Sequence, residues 1–336
     1  MTDLLKKLCS LDGTSGDEKS VREFIISQID GFCDWRVDRL GNIIAFKKGK
    51  KTALKKVMVD AHTDEVGLII TNITSEGFLK FKTVGGIDTA ALMLRKVRIN
   101  GSISGVISGK PIHLLSGDEG KKLPKADSLY IDIGALSKED AEKYVMLGDR
   151  GVICGEPIVS GEKILSKALD DRIGCAILIT LLRQESEYDF YASFSVQEEL
   201  GLRGAKTAAF AIDPQCAIVL EGTTAADIAD VPEEKSVCKL GLGPAVSFMD
   251  GATVYDRDFY NAAMNSSIIC QPKAAVTGGN NAGTIHLSRE GVRTVGISVP
   301  CRYIHTASSV ASLSDCENAL KLAKYMLCGI CGGEIE

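Results

Sequence analysis

Val21, Phe24, Ile25 and Ile29 recur at the three-and-four spacing of one helix face, which predicts a helix over residues 18–29. A shorter helix is predicted before it, over 3–9. The period then falls towards two. Residues 35–37 and 42–47 read as strands, and Val57-Met58-Val59 is a short buried strand running into Asp60-Ala61-His62-Thr63-Asp64. From about 66 to 161 the pattern changes again. Short strand-like pieces at 77–83, 96–100, 103–107 and 129–133 alternate with frequent Gly. One short helix is predicted over 138–144, opened by Ser137 with Asp140 near a capping-box position. The helix–strand order then resumes. Ile173, Ile177 and Leu181 lie four apart in a helix over 171–183, and a strand over 190–196 leads to a helix over 202–210. Strands are predicted at 216–220, 245–248, 267–270 and 294–299. A last helix is predicted over 314–327, with Ser314 and Glu317 as a capping box.

An α/β domain formed by 1–66 and 163–336, interrupted by a small β-barrel over 67–162, is the simplest arrangement of these elements. A chain of 336 residues is long enough for two such units. There is no internal repeat and no low-complexity segment.

Composition narrows the function class. Hydrophobic content of 45% and charged content of 25% are those of a soluble globular protein. The net charge of −5 gives no basic footprint for nucleic acid. No apolar run is long enough to span a bilayer, and no secretory leader is evident, so a cytoplasmic protein is expected. The 11 cysteines are scattered, most of them within apolar runs, as reduced thiols would be. Cys328 and Cys331 form one CxxC without a second ligand pair nearby, and read as thiols on a helix.

The chemistry lies at the ends of apolar runs, where α/β sheets collect their functional groups. His62 with Asp64, Asp170 with Asp171, Glu198 with Glu199, Glu221 and His305 all occupy such places, and they include two of only four histidines. Any one of them is also what a helix cap or a loop carries, and Asp227 and Asp230 compete with Glu221. Together they suit zinc, manganese or cobalt, which take imidazole and carboxylate. The assignment is a first ion on His62, Asp170 and Glu221 and a second on Glu199, Asp170 and His305, with Asp170 bridging. Glu198 remains as general base, and Asp64 as the carboxylate that orients His62. His113 and His286 read as ordinary barrel and helix residues. Gly105–Lys110 lacks the spacing of a phosphate loop.

AHTDEVG at 61–67, KALDDRIG at 167–174, VQEELGLRGA at 196–205, LEGTT at 220–224 and RYIHT at 302–306 resemble the signatures of the M42 metalloaminopeptidases. GVISGKPIHLL at 105–115 and IDIGALSKEDA at 131–141 extend the resemblance over essentially the whole chain. It implies a zinc-peptidase-like α/β/α domain with an inserted PDZ-like or β-barrel domain. It also implies two divalent ions per subunit on His62, Asp170, Glu199, Glu221 and His305, and removal of N-terminal residues from short peptides. A cis bond between Asp170 and Asp171, and a hollow homo-dodecamer with inward-facing sites, are implied as well. Two positions depart from the family pattern: Glu221 and Asn281 stand where relatives often carry Asp.

Two rival readings are a glycoside hydrolase of the endoglucanase kind, which works with two carboxylates and no metal, and a non-catalytic assembly protein. The imidazole ligands argue against the first and the intact ligand set against the second.

Overall fold

The computed structural model describes residues 1–114, 117 and 124–336; Leu115 of the 105–115 motif lies outside them. In chain order the first elements are α1 (Thr2–Ser10), α2 (Lys19–Ile29), β1 (Asp34–Val37), β2 (Ile43–Lys47) and β3 (Val57–His62). Next come β4 (Gly67–Ile73), β5 (Leu79–Val84), β6 (Lys96–Ile99), β7 (Ile103–Ser108), β8 (Tyr130–Asp132), α3 (Lys138–Ala141) and β9 (Arg150–Ile153). The remainder is β10 (Ile158–Ser160), β11 (Lys163–Ser166), α4 (Leu169–Arg183), β12 (Phe190–Ser195), α5 (Arg203–Ile212), β13 (Cys216–Thr224), β14 (Ala245–Ser247) and α6 (Arg257–Met264). It ends with β15 (Gln271–Pro272), α7 (Ala282–Ile285), β16 (Arg293–Arg302), β17 (Ser309–Ser312) and α8 (Leu313–Gly332).

An 11-stranded mixed sheet runs β1-β2-β12-β3-β13-β16-β17-β11-β10, with β14 and β15 off this path. At its centre β12, β3, β13 and β16 are mutually parallel, so their carboxyl ends share one edge. Successive side chains of a strand face opposite sides, and the core divides accordingly. Val57, Val59 and Ala61 of β3, with Cys216, Ile218 and Leu220 of β13, pack under α1, α2, α4 and α8. Met58, Ala217 and Val219 pack against Ala205, Ala208 and Ala209 of α5 and Ala282 and Ile285 of α7. The sheet is therefore covered by helices on both faces, which is why these strands carry apolar residues on both sides.

The expected insertion is a closed barrel, β4-β5-β8-β7-β6-β9, with its own core of Leu68, Ile70, Leu79, Phe81, Val97, Ile99, Ile107 and Ile131. Its strands end at Ile153. The last strand within the expected 67–162 segment, β10, instead pairs with β11 at the edge of the large sheet.

Three local expectations need correction. The strand expected at 267–270 is displaced to Gln271–Pro272, because Ile269 is 64% exposed and Gln271 is anchored by its own side chain to Gly243 and Lys239. The last helix opens at Ser312 and runs to Gly332, so Ser314 lies inside its first turn and the Ser314–Glu317 box does not form. The short helix at 138 ends at Ala141, although Ser137 does cap it by accepting the Asp140 N–H at 3.2 Å. All 11 cysteines are free, and Cys328 and Cys331 both lie on α8.

Candidate metal centre

His62 is the last residue of β3 and pairs in register with Ser195 of β12. Glu198 and Glu199 follow β12 after a turn in which Gln197 takes a left-handed φ of 56°. Glu221 lies in β13, in register with Ser298 of β16. His305 sits in the loop between β16 and β17, itself left-handed at φ 60°. Asp170 opens α4, where Asp170 and Asp171 depart from helical geometry and their shared peptide bond is cis. Glycine at 222 is a requirement of this packing. A Cβ there would lie 3.0 Å from both Cα and Cβ of Asp170.

The carboxylate of Asp170 divides its two oxygens between two imidazoles. Oδ1 is 3.3 Å from His62 Nε2, and Oδ2 is 3.4 Å from His305 Nε2. His62 Nε2 also lies 3.6 Å from Glu221 Oε2 and 4.0 Å from Glu198 Oε2. His305 Nε2 lies 3.1 Å from Glu199 Oε1. On the other side of His62, Nδ1 is 3.4 Å from Asp64 Oδ1.

Asp64 is fixed in turn. It accepts the backbone N–H of Glu198 at 2.9 Å and of Glu199 at 3.1 Å, and the Ser15 hydroxyl donates to it at 2.6 Å. One carboxylate thus ties the end of β3 to the Glu198–Glu199 turn. Asp171 accepts the His62 N–H and the Gly174 N–H, so its carboxylate is taken up by backbone. Beneath them Glu65 pairs with Lys167 at 2.6 Å, and Arg172 lies 3.4 Å away.

The charge balance of this cluster is one-sided. Asp64, Asp170, Asp171, Glu198, Glu199 and Glu221 surround only two imidazoles. Burial disfavours the charged form of His62, yet Glu221, Asp170 and Asp64 outweigh it and hold the imidazole well above its usual range. Burial likewise opposes the charge on His305, but Asp170 and Glu199 push it up to about 11. Burial pushes the Glu198 carboxyl up to about 8, with His62 pulling against it. Burial also pushes Glu221 and Asp171 well above the carboxylate range. Burial would raise Asp170 too, but the two imidazoles win and hold it low. Glu221 Oε1 is buried without a hydrogen-bond partner. Anionic nitrogen and oxygen donors at such density, with an unsatisfied oxygen among them, fit divalent cations. His62, Asp170 and Glu199 offer ligand atoms within 4.8 Å of one another, as do His62, Asp171 and Glu221.

All seven residues given a role from the sequence meet here, with Asp171 beside them. Asp227, the competitor of Glu221, is instead bound by Arg302 through two 2.8 Å contacts, and Asp230 is exposed. His113 is exposed and His286 bonds within its own turn. Sequence reasoning did not identify the Glu65–Lys167–Arg172 group or the buried Asp60, which accepts the Asn281 amide at 2.8 Å. The only sequence signal for either is a charged residue within a few positions of a ligand.

The sequence pattern of the M42 glutamyl aminopeptidase family matches residues 41–322. The lysyl aminopeptidase of Pyrococcus furiosus is 35% identical, covering 97% of this chain and 96% of its own. The TET aminopeptidase of the marine sediment archaeon Thaumarchaeota archaeon SCGC AB-539-E09 superposes with a TM-score of 0.92 at 35% identity, covering 96% of this chain and 94% of that one. A Pyrococcus horikoshii TET1 peptidase, which can assemble into a tetrahedron or a large octahedral shell, superposes with a TM-score of 0.85 at 33% identity over 96% and 98% of the two chains. Among the described residues no helix is long and apolar enough to cross a membrane. The chain belongs to the M42 peptidase family and is an enzyme of the peptide-hydrolase class.

Proposed function

We propose that this protein is a dinuclear metal-dependent aminopeptidase that removes the N-terminal residue of short peptides. The observation that carries this reading is Asp170, whose two oxygens face His62 and His305 separately. His62, Asp170 and Glu221 would hold one divalent ion, and Glu199, Asp170 and His305 the other, with Zn²⁺ or Co²⁺ preferred and Mn²⁺ acceptable. Bound there, such ions supply Lewis acidity towards a peptide carbonyl and acidify water.

The remaining steps belong to side chains. Glu198, 4.0 Å from His62 Nε2, accepts a proton from the attacking water and returns it to the leaving amine. Asp64 faces His62 Nδ1 and fixes the ring so that Nε2 points into the cluster. The surplus of carboxylates attracts the positive α-amino group of a peptide, which favours cutting at the first bond.

The inserted barrel is proposed as the oligomerisation domain of a cytoplasmic homo-dodecamer. It supplies none of the proposed ligands. It exposes Leu136, Tyr144, Met146 and Leu147 within one short stretch, and exposed apolar side chains gathered in this way mark interaction surfaces.

The test is a panel of aminoacyl-p-nitroanilides assayed with apo-protein after adding Zn²⁺, Co²⁺ or Mn²⁺. Metal-restored release of p-nitroaniline is expected, together with its loss on chelation. Chelator-insensitive cleavage of a glucan, with no anilide turnover under any metal, would replace this reading by the glycoside hydrolase.

A further inference from the structure

Glu18 is 4% exposed and occupies the N-cap position of α2. A carboxylate there ordinarily accepts the free N–H groups of its own helix's first turn. Glu18 makes no such cap. Its Oε1 accepts instead the Gly16 N–H at 2.6 Å and, across 179 residues of sequence, the Gln197 N–H at 3.3 Å. Gln197 is the left-handed residue of the turn that delivers Glu198 and Glu199. A non-glycine residue persists in that conformation only where its surroundings impose it.

Three consecutive backbone N–H groups of this turn end on carboxylates. Gln197 donates to Glu18, and Glu198 and Glu199 donate to the two oxygens of Asp64. Successive N–H groups of a turn make an anion-binding concavity, and here the protein's own acids fill it. The loop before α2 carries the outer anchor and braces the inner one. Ser15 donates its hydroxyl to Asp64 and its N–H to Glu65 O, and Glu65 donates its N–H to Gly13 O. Gly16 between them is left-handed at φ 86°, which glycine adopts without steric cost, and the chain turns there from Ser15 to Glu18. Glu198 and Glu199 line the cavity of about 360 Å³ beside the cluster, and Glu18 does not.

We infer that Glu18 is a positioning residue: it holds the Gln197 peptide group so that the Glu198 carboxylate faces the attacking water, without itself touching substrate. This rests on the base role proposed above for Glu198. Asn42 and Gly204 hold Val196, and Asp64 holds Glu198 and Glu199. Glu18 holds the N–H of the left-handed residue between them. Without it the two sides of the turn stay fixed, while the peptide that sets the direction of Glu198 loses its anchor. The bond needs an oxygen lone pair at the right reach and no charge, so a carboxamide of equal length can take the place of the carboxylate. A shorter acid cannot.

The test compares Glu18→Asp and Glu18→Gln with wild type, each metal-loaded, on the aminoacyl-p-nitroanilide that wild type cleaves fastest. Glu18→Asp keeps the charge and suits an N-cap, so the fold is retained, but it falls one methylene short of Gln197. Its kcat should drop about 10- to 100-fold, the scale of a misplaced reacting group, with KM and metal content unchanged. Glu18→Gln loses the charge and keeps the reach, and should retain most of the wild-type kcat. Amide hydrogen exchange over residues 196–200, read by mass spectrometry, follows the turn without turnover. Protection there should fall in Glu18→Asp and persist in Glu18→Gln. A wild-type kcat in Glu18→Asp, or an equal loss in Glu18→Gln, overturns the positioning role and leaves the aminopeptidase intact. Metal lost in proportion to kcat also overturns it, because Glu18 then supports the ion at Glu199 and not the base. Wild type that cleaves no aminoacyl anilide with any metal overturns both readings.

Discussion

Lys167 holds Glu65 through both carboxylate oxygens, at 2.6 and 2.8 Å, with each side chain 4% exposed. Lys167 stands three residues before Asp170 and Glu65 three residues after His62, so the pair joins the two chain segments that meet at the shared carboxylate. Removing one member leaves the other charge buried. Lys167→Met should lower unfolding free energy by about 3–5 kcal/mol. The double variant Lys167→Met/Glu65→Gln should fall short of the summed single losses. Urea denaturation checks this, and additive losses would show that the two residues do not act together.

Glu198→Gln keeps size and hydrogen-bonding reach but loses basicity. Turnover should drop by at least about 10²-fold while metal content stays at the wild-type level. A variant that keeps its kcat would remove Glu198 from the proton-transfer role.

Asp170→Asn should strip both ions, because the two imidazoles share that one carboxylate. Glu199→Gln should weaken chiefly the ion next to His305. Metal analysis of the purified proteins decides between them. Full occupancy in Asp170→Asn would move the bridge elsewhere.

Asp227 and Glu221 give opposite results if the assignment of roles is right. Glu221→Gln should lose metal, whereas Asp227→Asn should keep it and lose stability. Burial tends to raise the Asp227 carboxyl, but the Arg302 fork and the Leu240 N–H outweigh it and hold it below the usual range. The folded form therefore binds its proton at lower pH than the unfolded form. The stability lent by Asp227 is present above about pH 4 and disappears as pH falls through the folded value. At pH 7 the Asp227→Asn cost should be about 1–2 kcal/mol, shrinking on acidification. A cost that does not change with pH would mean the pair is not what stabilises the loop.

The oligomer prediction concerns mass. Sedimentation at micromolar concentration should give a particle several times the 35.9 kDa chain. Replacing Met146 and Leu147, 70% and 62% exposed, by Lys should shift it towards the single subunit. A wild-type monomer would dismiss the barrel as an assembly element.

The residues of the buried carboxylate and imidazole cluster are legible in the sequence for a physical reason. A fully buried parallel strand is rich in apolar residues, so an acid or imidazole at or just beyond its carboxyl end stands out, as at His62, Glu198 and Glu221, although Asp60 inside β3 shows that such a group can also be a buried supporting residue. Asp170 and His305 follow the same logic from a helix start and from the loop after β16. The supporting charges are not legible in this way. Glu65, Lys167 and Arg172 are charges beside the cluster residues in the sequence, which does not say which of them pair, and only tertiary packing buries them together. Short strands are missed for a related reason. Ser309–Ser312 has little apolar content and is held by its pairing with β11 and β16. Ile268 and Ile269 suggest a strand, but the hydrogen bonds that define one begin at Gln271.

The proposed ligands come from five separate stretches, and the last of them, His305, follows β16. Translation delivers the residues in that order. A nascent chain still lacking β16 has neither the neighbour that completes the β13 edge nor the second imidazole. On the proposed assignment the centre is therefore complete only once β16 and the loop after it have been made.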